Sequence, residues 1–174
     1  MSIIKTVAEL MALAALTAPK ARGQDCVNVK YITEPEEIAT LSAEMIRYAE
    51  ETGRKLFQRD GLNVKNSQAV VLLALKNPKT SGLNCGACGL PECSQLAKVE
   101  GPEFVGNQCS WRLVDLGIAL GSAVKTASIH NVDNRIMYTV GVAARKLKLI
   151  EGEVVIGIPL SIGSKNIFFD RPPL

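Results

Sequence analysis

Cysteine supplies five of the 174 residues, and four of the five fall in one short stretch: Cys85-Gly-Ala-Cys88-Gly-Leu-Pro-Glu-Cys93, followed by Cys109. This spacing constrains the fold more than anything else in the chain, because the segment must turn back on itself for four thiols to meet. Cys-x-x-Cys places two thiols on one tight turn. Gly86 and Gly89, each following a cysteine, allow positive φ and bring backbone N–H groups toward sulfur. Such hydrogen bonds stabilise the negative charge of a thiolate-ligated cluster and help to set its potential. Pro91 stiffens the path to Cys93, and Cys109 arrives from outside the loop, just before a helix.

Four thiolates complete the coordination of an iron–sulfur cluster or of a single zinc ion. Structural zinc usually comes from two knuckles, each a close Cys/His pair. Here the fourth cysteine stands alone, and four residues separate the second from the third. The pattern favours a 4Fe-4S cluster, with zinc and unligated or redox-paired thiols as the alternatives.

A chain of this length buries about 70% of its unfolded surface and needs no disulfides to hold a core. It is 47% apolar, 21% charged and 5% aromatic, a globular composition rather than a disordered one. A net charge of +3 does not call for nucleic acid. Ile3 to Ala18 is apolar enough to resemble a secretory signal, but Glu9 interrupts it. Val7, Leu10, Met11, Ala14 and Ala18 repeat there at helical spacing. No stretch reaches the ~20 apolar residues of a membrane span. The expected compartment is the cytoplasm, where thiols stay reduced and clustered cysteines more often bind metal than pair.

The first helix should end at Pro19. A polar turn, Lys20 to Asp25, leads into an alternating strand, Cys26 to Ile32. Thr33, with Glu36 in a capping-box relation, predicts a helix through Ile38, Leu41, Met45 and Tyr48. Ala69 to Leu75 is a continuous apolar run suited to a strand covered on both faces. Beyond the cysteines, Trp111, Val114, Leu116, Ile118, Leu120 and Val124 mark a helix that breaks at His130-Asn131. Asp133 is read as the cap of another helix carrying Ile136, Val140 and Leu147. Glu153 to Leu160 is a strand, and Asn166 to Phe169 a short further one. The expected fold is α+β, a small sheet packed against about four helices. It forms one domain over residues 1–174, with a cluster-binding segment at 79–110.

The cysteine motif resembles the short 4Fe-4S domain of the B subunit of the Rnf electron-transfer complex. It also resembles corrinoid iron–sulfur proteins, with their Cys-Gly-x-Cys-Gly-x-x-x-Cys and a later Cys. This resemblance implies that Cys85, Cys88, Cys93 and Cys109 ligate one cluster. Over its whole length the chain is similar to a prokaryotic family described as containing a ferredoxin domain. That similarity is carried by Thr17-Ala-Pro-Lys-Ala-Arg-Gly23, the cysteine segment, Asn131-Val-Asp-Asn-Arg135 and Gly157-Ile-Pro-Leu160.

The flanks of the cysteine segment resemble the FMN-dependent nitroreductase fold. Ala14 to Gly23 sits where that family has Ala-x-x-Ala-Pro-Ser and then Asn, with Lys20 and Gly23 replacing the Ser and Asn. The resemblance implies FMN, with Lys20, Arg22 and Lys165 at its phosphate. It also implies a homodimer with flavins at the interface. Lys20 and Arg22 are equally explained as a solvated turn that favours the preceding helix dipole. His130 is a candidate proton relay or a surface residue, and Cys26 reads as a small buried hydrophobe. Gly117 and Gly121 could admit a flavin ring or close helix packing. Trp111 is placed to shield the cluster, and Asp133 and Arg135 to bind substrate or to form a cap and salt bridge.

These features describe an iron–sulfur oxidoreductase or electron-transfer protein with FMN as an implied second cofactor. Its partner would be a redox protein or a small-molecule electron acceptor, with no nucleic acid and no membrane. One alternative is an electron carrier or cluster-transfer module without flavin. Another is a zinc-stabilised ligand-binding domain. No catalytic acid, base or nucleophile stands out.

Overall fold

The centre of the molecule is β2 (Ala69–Leu75), whose seven residues are all buried. The computed structural model describes residues 2–169, so residue 1 and residues 170–174 of the expected domain lie outside the described residues. β2 pairs antiparallel with β1 (Val27–Ile32) on one side and β6 (Val154–Ser161) on the other. β5 (Asp133–Asn134) extends the sheet beyond β6, giving the order β1-β2-β6-β5.

A strand's side chains alternate between faces, and this alternation divides the apolar run of β2 between two cores. Ala69, Val71, Leu73 and Leu75 meet α1 (Ile3–Thr17) and α4 (Ser110–Ile129). Val70, Leu72 and Ala74 meet residues of α2 (Pro35–Thr52), α3 (Lys55–Lys65) and α5 (Tyr138–Lys146) on the other face. The result is an α+β domain with helices on both faces of a small antiparallel sheet.

α5 lies directly on β6. A Cβ at Gly141 would stand 1.7 Å from the Val155 carbonyl oxygen, and one at Gly157 would stand 2.2 Å from a Val140 methyl. Only glycine permits this approach.

Several local expectations differ from the structure. α2 starts at Pro35, whose missing N–H and fixed φ suit the first helical position, so Glu34 rather than Thr33 is its cap. Asp133 does not cap α5. It pairs with Ser161 in β5, and Met137 precedes the helix. Asn166–Phe169 is a turn, closed by Asn166 Oδ1 accepting from the Phe168 amide at 3.0 Å. Trp111, Val114 and Ile118 face outward from α4. Its inner face carries Arg112, Asp115, Leu116, Ala119, Leu120, Ala123 and Ala127.

Residues 76–109, between β2 and α4, contain a short hairpin of β3 (Val99–Glu100) and β4 (Val105–Gly106). Arg145 holds this hairpin by donating to Glu100 at 2.7 Å and to the Glu103 carbonyl at 3.1 Å. Gln108 anchors its exit to Glu153 at 2.7 Å.

Candidate metal centre

Cys85, Cys88, Cys93 and Cys109 line one narrow cleft. Thr80, Ser81, Leu90, Leu96 and Trp111 complete its wall. All the cysteines are free thiols. Among the described residues, no three Cys, His, Asp or Glu side chains are gathered closely enough to grip a single metal ion.

The cleft is shaped by backbone that only special residues adopt easily. Gly86 has φ 73° and Gly89 φ 86°, as the placement of glycine after each cysteine predicts. Asn84 takes φ 46°, a left-handed conformation that asparagine tolerates. Its side-chain oxygen accepts from the Cys93 amide at 2.8 Å, and its own amide donates to Cys93 Sγ at 3.4 Å. This reciprocal pair ties the start of the loop to its third cysteine.

Each end of the cysteine series is supplied with donors. The Ala87 amide and the Trp111 indole hold the Cys85 thiol below its ordinary range, and Trp111 Nε1 stands 3.3 Å from the sulfur. Cys109 occupies the N-cap position of α4. Burial pushes its thiol up, but the Ser81 amide and hydroxyl and the amides of Trp111 and Arg112 outweigh this and lower it. The Ser81 hydroxyl is 3.6 Å from Cys109 Sγ. Thiolate charge is favoured where N–H groups and a helix N-terminus converge.

Sequence reasoning missed the buried polar knot beneath this cleft. Arg112 is completely buried in the first turn of α4. It pairs with Asp115 at 3.0 Å and donates to the carbonyls of Lys79 at 2.8 Å, Ala21 at 3.2 Å and Gln24 at 3.3 Å. Asp115 in turn accepts from the Ala21 amide at 2.7 Å. An Arg and an Asp three apart on an otherwise apolar helix were the available signal. Helical periodicity counts apolar residues and passes over such a pair.

The cations expected at a flavin phosphate do not converge within one protomer. Lys20 is nearly buried and spends its ammonium on the C-terminal carbonyls of α1, Ala15 at 2.8 Å and Leu16 at 2.6 Å. Arg22, in a left-handed conformation at φ 59°, donates to the Ser81 carbonyl at 2.9 Å. Both precede the Val27 end of the sheet, where Val27, Leu75 and Val154 are in register. Lys165 follows Ser161, at the opposite end of β6.

The remaining candidates are dispersed. Cys26 is half-buried beside β1. His130 is exposed at the C-cap of α4. Gly117 and Gly121 have open space where a Cβ would stand, so among the described residues no neighbouring helix closes on them. Asp133 accepts from Asn166 at 3.0 Å, and Arg135 donates to the Phe168 carbonyl at 3.2 Å while covering the Phe169 ring.

The architecture is that of the nitroreductase fold. A nitroreductase family protein from Clostridium novyi superimposes with TM-score 0.61 at 15% identity, over 96% of this chain and 80% of that one. Nitroreductase A from Vibrio parahaemolyticus gives TM-score 0.59 at 13% identity, over 95% of this chain. The NADPH:FMN oxidoreductase of Vibrio harveyi, complexed with NAD+, gives TM-score 0.58 at 14% identity over 95% of this chain. The chain spans 61% of the length of the Vibrio parahaemolyticus enzyme and 63% of the Vibrio harveyi one. In sequence, residues 105–171 match the family described as "Uncharacterized protein containing a ferredoxin domain". An uncharacterized protein of Archaeoglobus fulgidus is 45% identical over 172 residues, covering 98% of this chain and 92% of its own. The chain belongs to the family of that archaeal protein.

Proposed function

We propose that this protein is a 4Fe-4S redox protein of the cytoplasm, an oxidoreductase or electron-transfer protein whose cluster is held by Cys85, Cys88, Cys93 and Cys109. The observation that carries the reading is the gathering of these four thiols around one cleft whose amides, hydroxyl and indole point at sulfur. The fourth cysteine stands alone instead of in a second close pair, which favours a cluster over a lone zinc. A cluster uses the same four ligands spread over a larger inorganic core. The ferredoxin-domain description of the matched family and the oxidoreductase neighbours agree with a redox role.

When bound, such a cluster supplies one-electron transfer. The chain's own residues then hold the thiolate charge, exclude water on the Cys109 side and leave Cys85 at the surface, where an electron can pass to a partner protein or a small acceptor.

A second cofactor, FMN, is favoured by the fold alone, and in this reading the protein is a homodimer. The observation that favours the dimer is a set of exposed leucine, valine and isoleucine side chains on the neighbouring helices α1 and α4, among them Leu13, Leu16, Val114 and Ile118. Since Lys20 and Arg22 lie at one end of the sheet and Lys165 at the other, a common phosphate site for all three would need two protomers.

Purification without air tests the reading directly. The expected product is brown and contains about four irons and four sulfides per chain, and flavin is assayed on the same sample after denaturation. A folded, colourless, iron-free anaerobic preparation would overturn it. One zinc per chain would establish the zinc-stabilised alternative.

A further inference from the structure

Trp111 is the single tryptophan of the chain. It stands in the first turn of α4, and its indole nitrogen is 3.3 Å from Cys85 Sγ, so its N–H donates to that sulfur. Cys85 is the exposed member of the four cysteines. Cys88 and Cys93 are partly covered, and Cys109 is buried. Cys93 receives its hydrogen bond from a backbone amide, and Cys109 lies against a hydroxyl and the amides at the start of α4. The ligand most open to water is thus the one served by a large side chain.

The placement of that side chain is not accidental to the surface. The neighbouring Arg112 is fully buried and bonded to the Lys79 carbonyl, which fixes how the first turn of α4 faces the cysteine segment. Ser110, on the other side, donates to the Ala87 carbonyl at 2.9 Å, inside the Cys85–Cys88 turn. Trp111 is therefore held between two anchors, half-exposed, over the Cys85 corner of the cleft.

We propose that Trp111 is a positioning residue for the cluster: its indole N–H holds the Cys85 sulfur and raises the reduction potential, while its ring keeps water from that corner. The inference rests on the cluster reading given above. Its sign follows from charge. With a cluster bound, an electron supplied by the reductant of the titration would be added with no atom gained or lost, and part of its negative charge would fall on the thiolate sulfurs. A donor to sulfur stabilises the more negative state more strongly, so it makes reduction easier.

The test compares the anaerobically purified wild-type protein with Trp111→Phe and Leu113→Ala. Phenylalanine keeps an aromatic cover and removes the donor. Leu113 is an exposed residue of the same helix turn and serves as the control. Iron and sulfide are measured in all three, followed by potentiometric titration with redox mediators, read by absorbance and by the electron paramagnetic resonance of the reduced cluster. The expected result is full iron and sulfide throughout, a more negative midpoint potential for Trp111→Phe, and a wild-type potential for Leu113→Ala. A Trp111→Phe protein with a full cluster and an unchanged potential would overturn the proposal while leaving the cluster reading intact. A wild-type protein without iron and sulfide would overturn both. The wild type also carries an independent readout, since its sole indole should lose most of its fluorescence when the cluster is assembled. Emission as bright in the loaded protein as in the iron-free one would place Trp111 away from the cluster and end the proposal.

Discussion

Arg112 and Asp115 form an ion pair inside the protein, Nη1 to Oδ2 at 3.0 Å, with both side chains almost wholly removed from water. Taking two such charges out of water costs several kcal/mol each, recovered only when every donor and lone pair is matched. Here they are matched by three segments: the cysteine loop through Lys79, the polar turn through Ala21 and Gln24, and α4 itself. The pair thus fixes where the first turn of α4, with Cys109 and Trp111, meets the loop that carries the other three cysteines.

Breaking the pair should therefore be costly. Arg112→Leu leaves Asp115 buried and uncompensated, and its unfolding free energy in urea should fall by about 3–5 kcal/mol. Replacing both residues with leucine should cost clearly less than the two single changes added together, because no unpaired charge remains. Strict additivity in that cycle would show that the two side chains act separately.

The cysteines make a second prediction. Alanine in place of Cys85, Cys88, Cys93 or Cys109 should each abolish or sharply reduce bound iron and sulfide. Cys26→Ala should retain both, since Cys26 lies beside β1 and does not line the cleft. Metal and sulfide analysis of the five variants decides it. Full iron in any of the first four variants removes that residue from the ligand set.

Backbone contact between α5 and β6 gives a third. Gly141→Ala forces a methyl to within 1.7 Å of the Val155 carbonyl oxygen. The helix must shift off the strand, at a cost of roughly 3 kcal/mol or more. Gly106→Ala, where no atom lies within 4 Å of the added methyl, should change stability little. Thermal unfolding of the two variants makes the comparison, and equal midpoints would mean that α5 is not seated as described.

The exposed face of α4 gives the fourth. Ile118→Glu adds a charge to an apolar surface without disturbing the core beneath it. On the homodimer reading proposed above, the wild type should elute as a dimer, and the variant should keep wild-type circular dichroism and elute as a monomer. Coelution of the two proteins, each measured by light scattering, would put the subunit contact elsewhere.

Much of the architecture was legible in single residues. Ala69–Leu75 announced a strand buried on both faces because seven consecutive apolar side chains have no polar face to turn to water. Gly86 and Gly89 announced the positive φ of the cysteine loop because a side chain opposes that conformation. Other positions misled for equally physical reasons. Asp133 has the chemistry of a cap, but its backbone was claimed by pairing with Ser161, nearly thirty residues later in the chain. Trp111, Val114 and Ile118 marked α4 correctly, but their spacing did not say that the face turned inward carries Arg112 and Asp115 among Leu and Ala.

Spacing within one loop was enough to nominate four sulfur ligands, because Cys-x-x-Cys geometry and the glycines beside it are local. Which groups surround those sulfurs was decided only by tertiary structure. The Trp111 indole and the Ser81 hydroxyl meet sulfurs 26 and 28 residues away, and the Arg112–Asp115 pair ties α4 to the loop across 33 residues and to the polar turn across 94. Hydrogen bonds over such distances depend on how helices dock on a sheet, and that docking is the sum of many contacts that no short window of sequence contains.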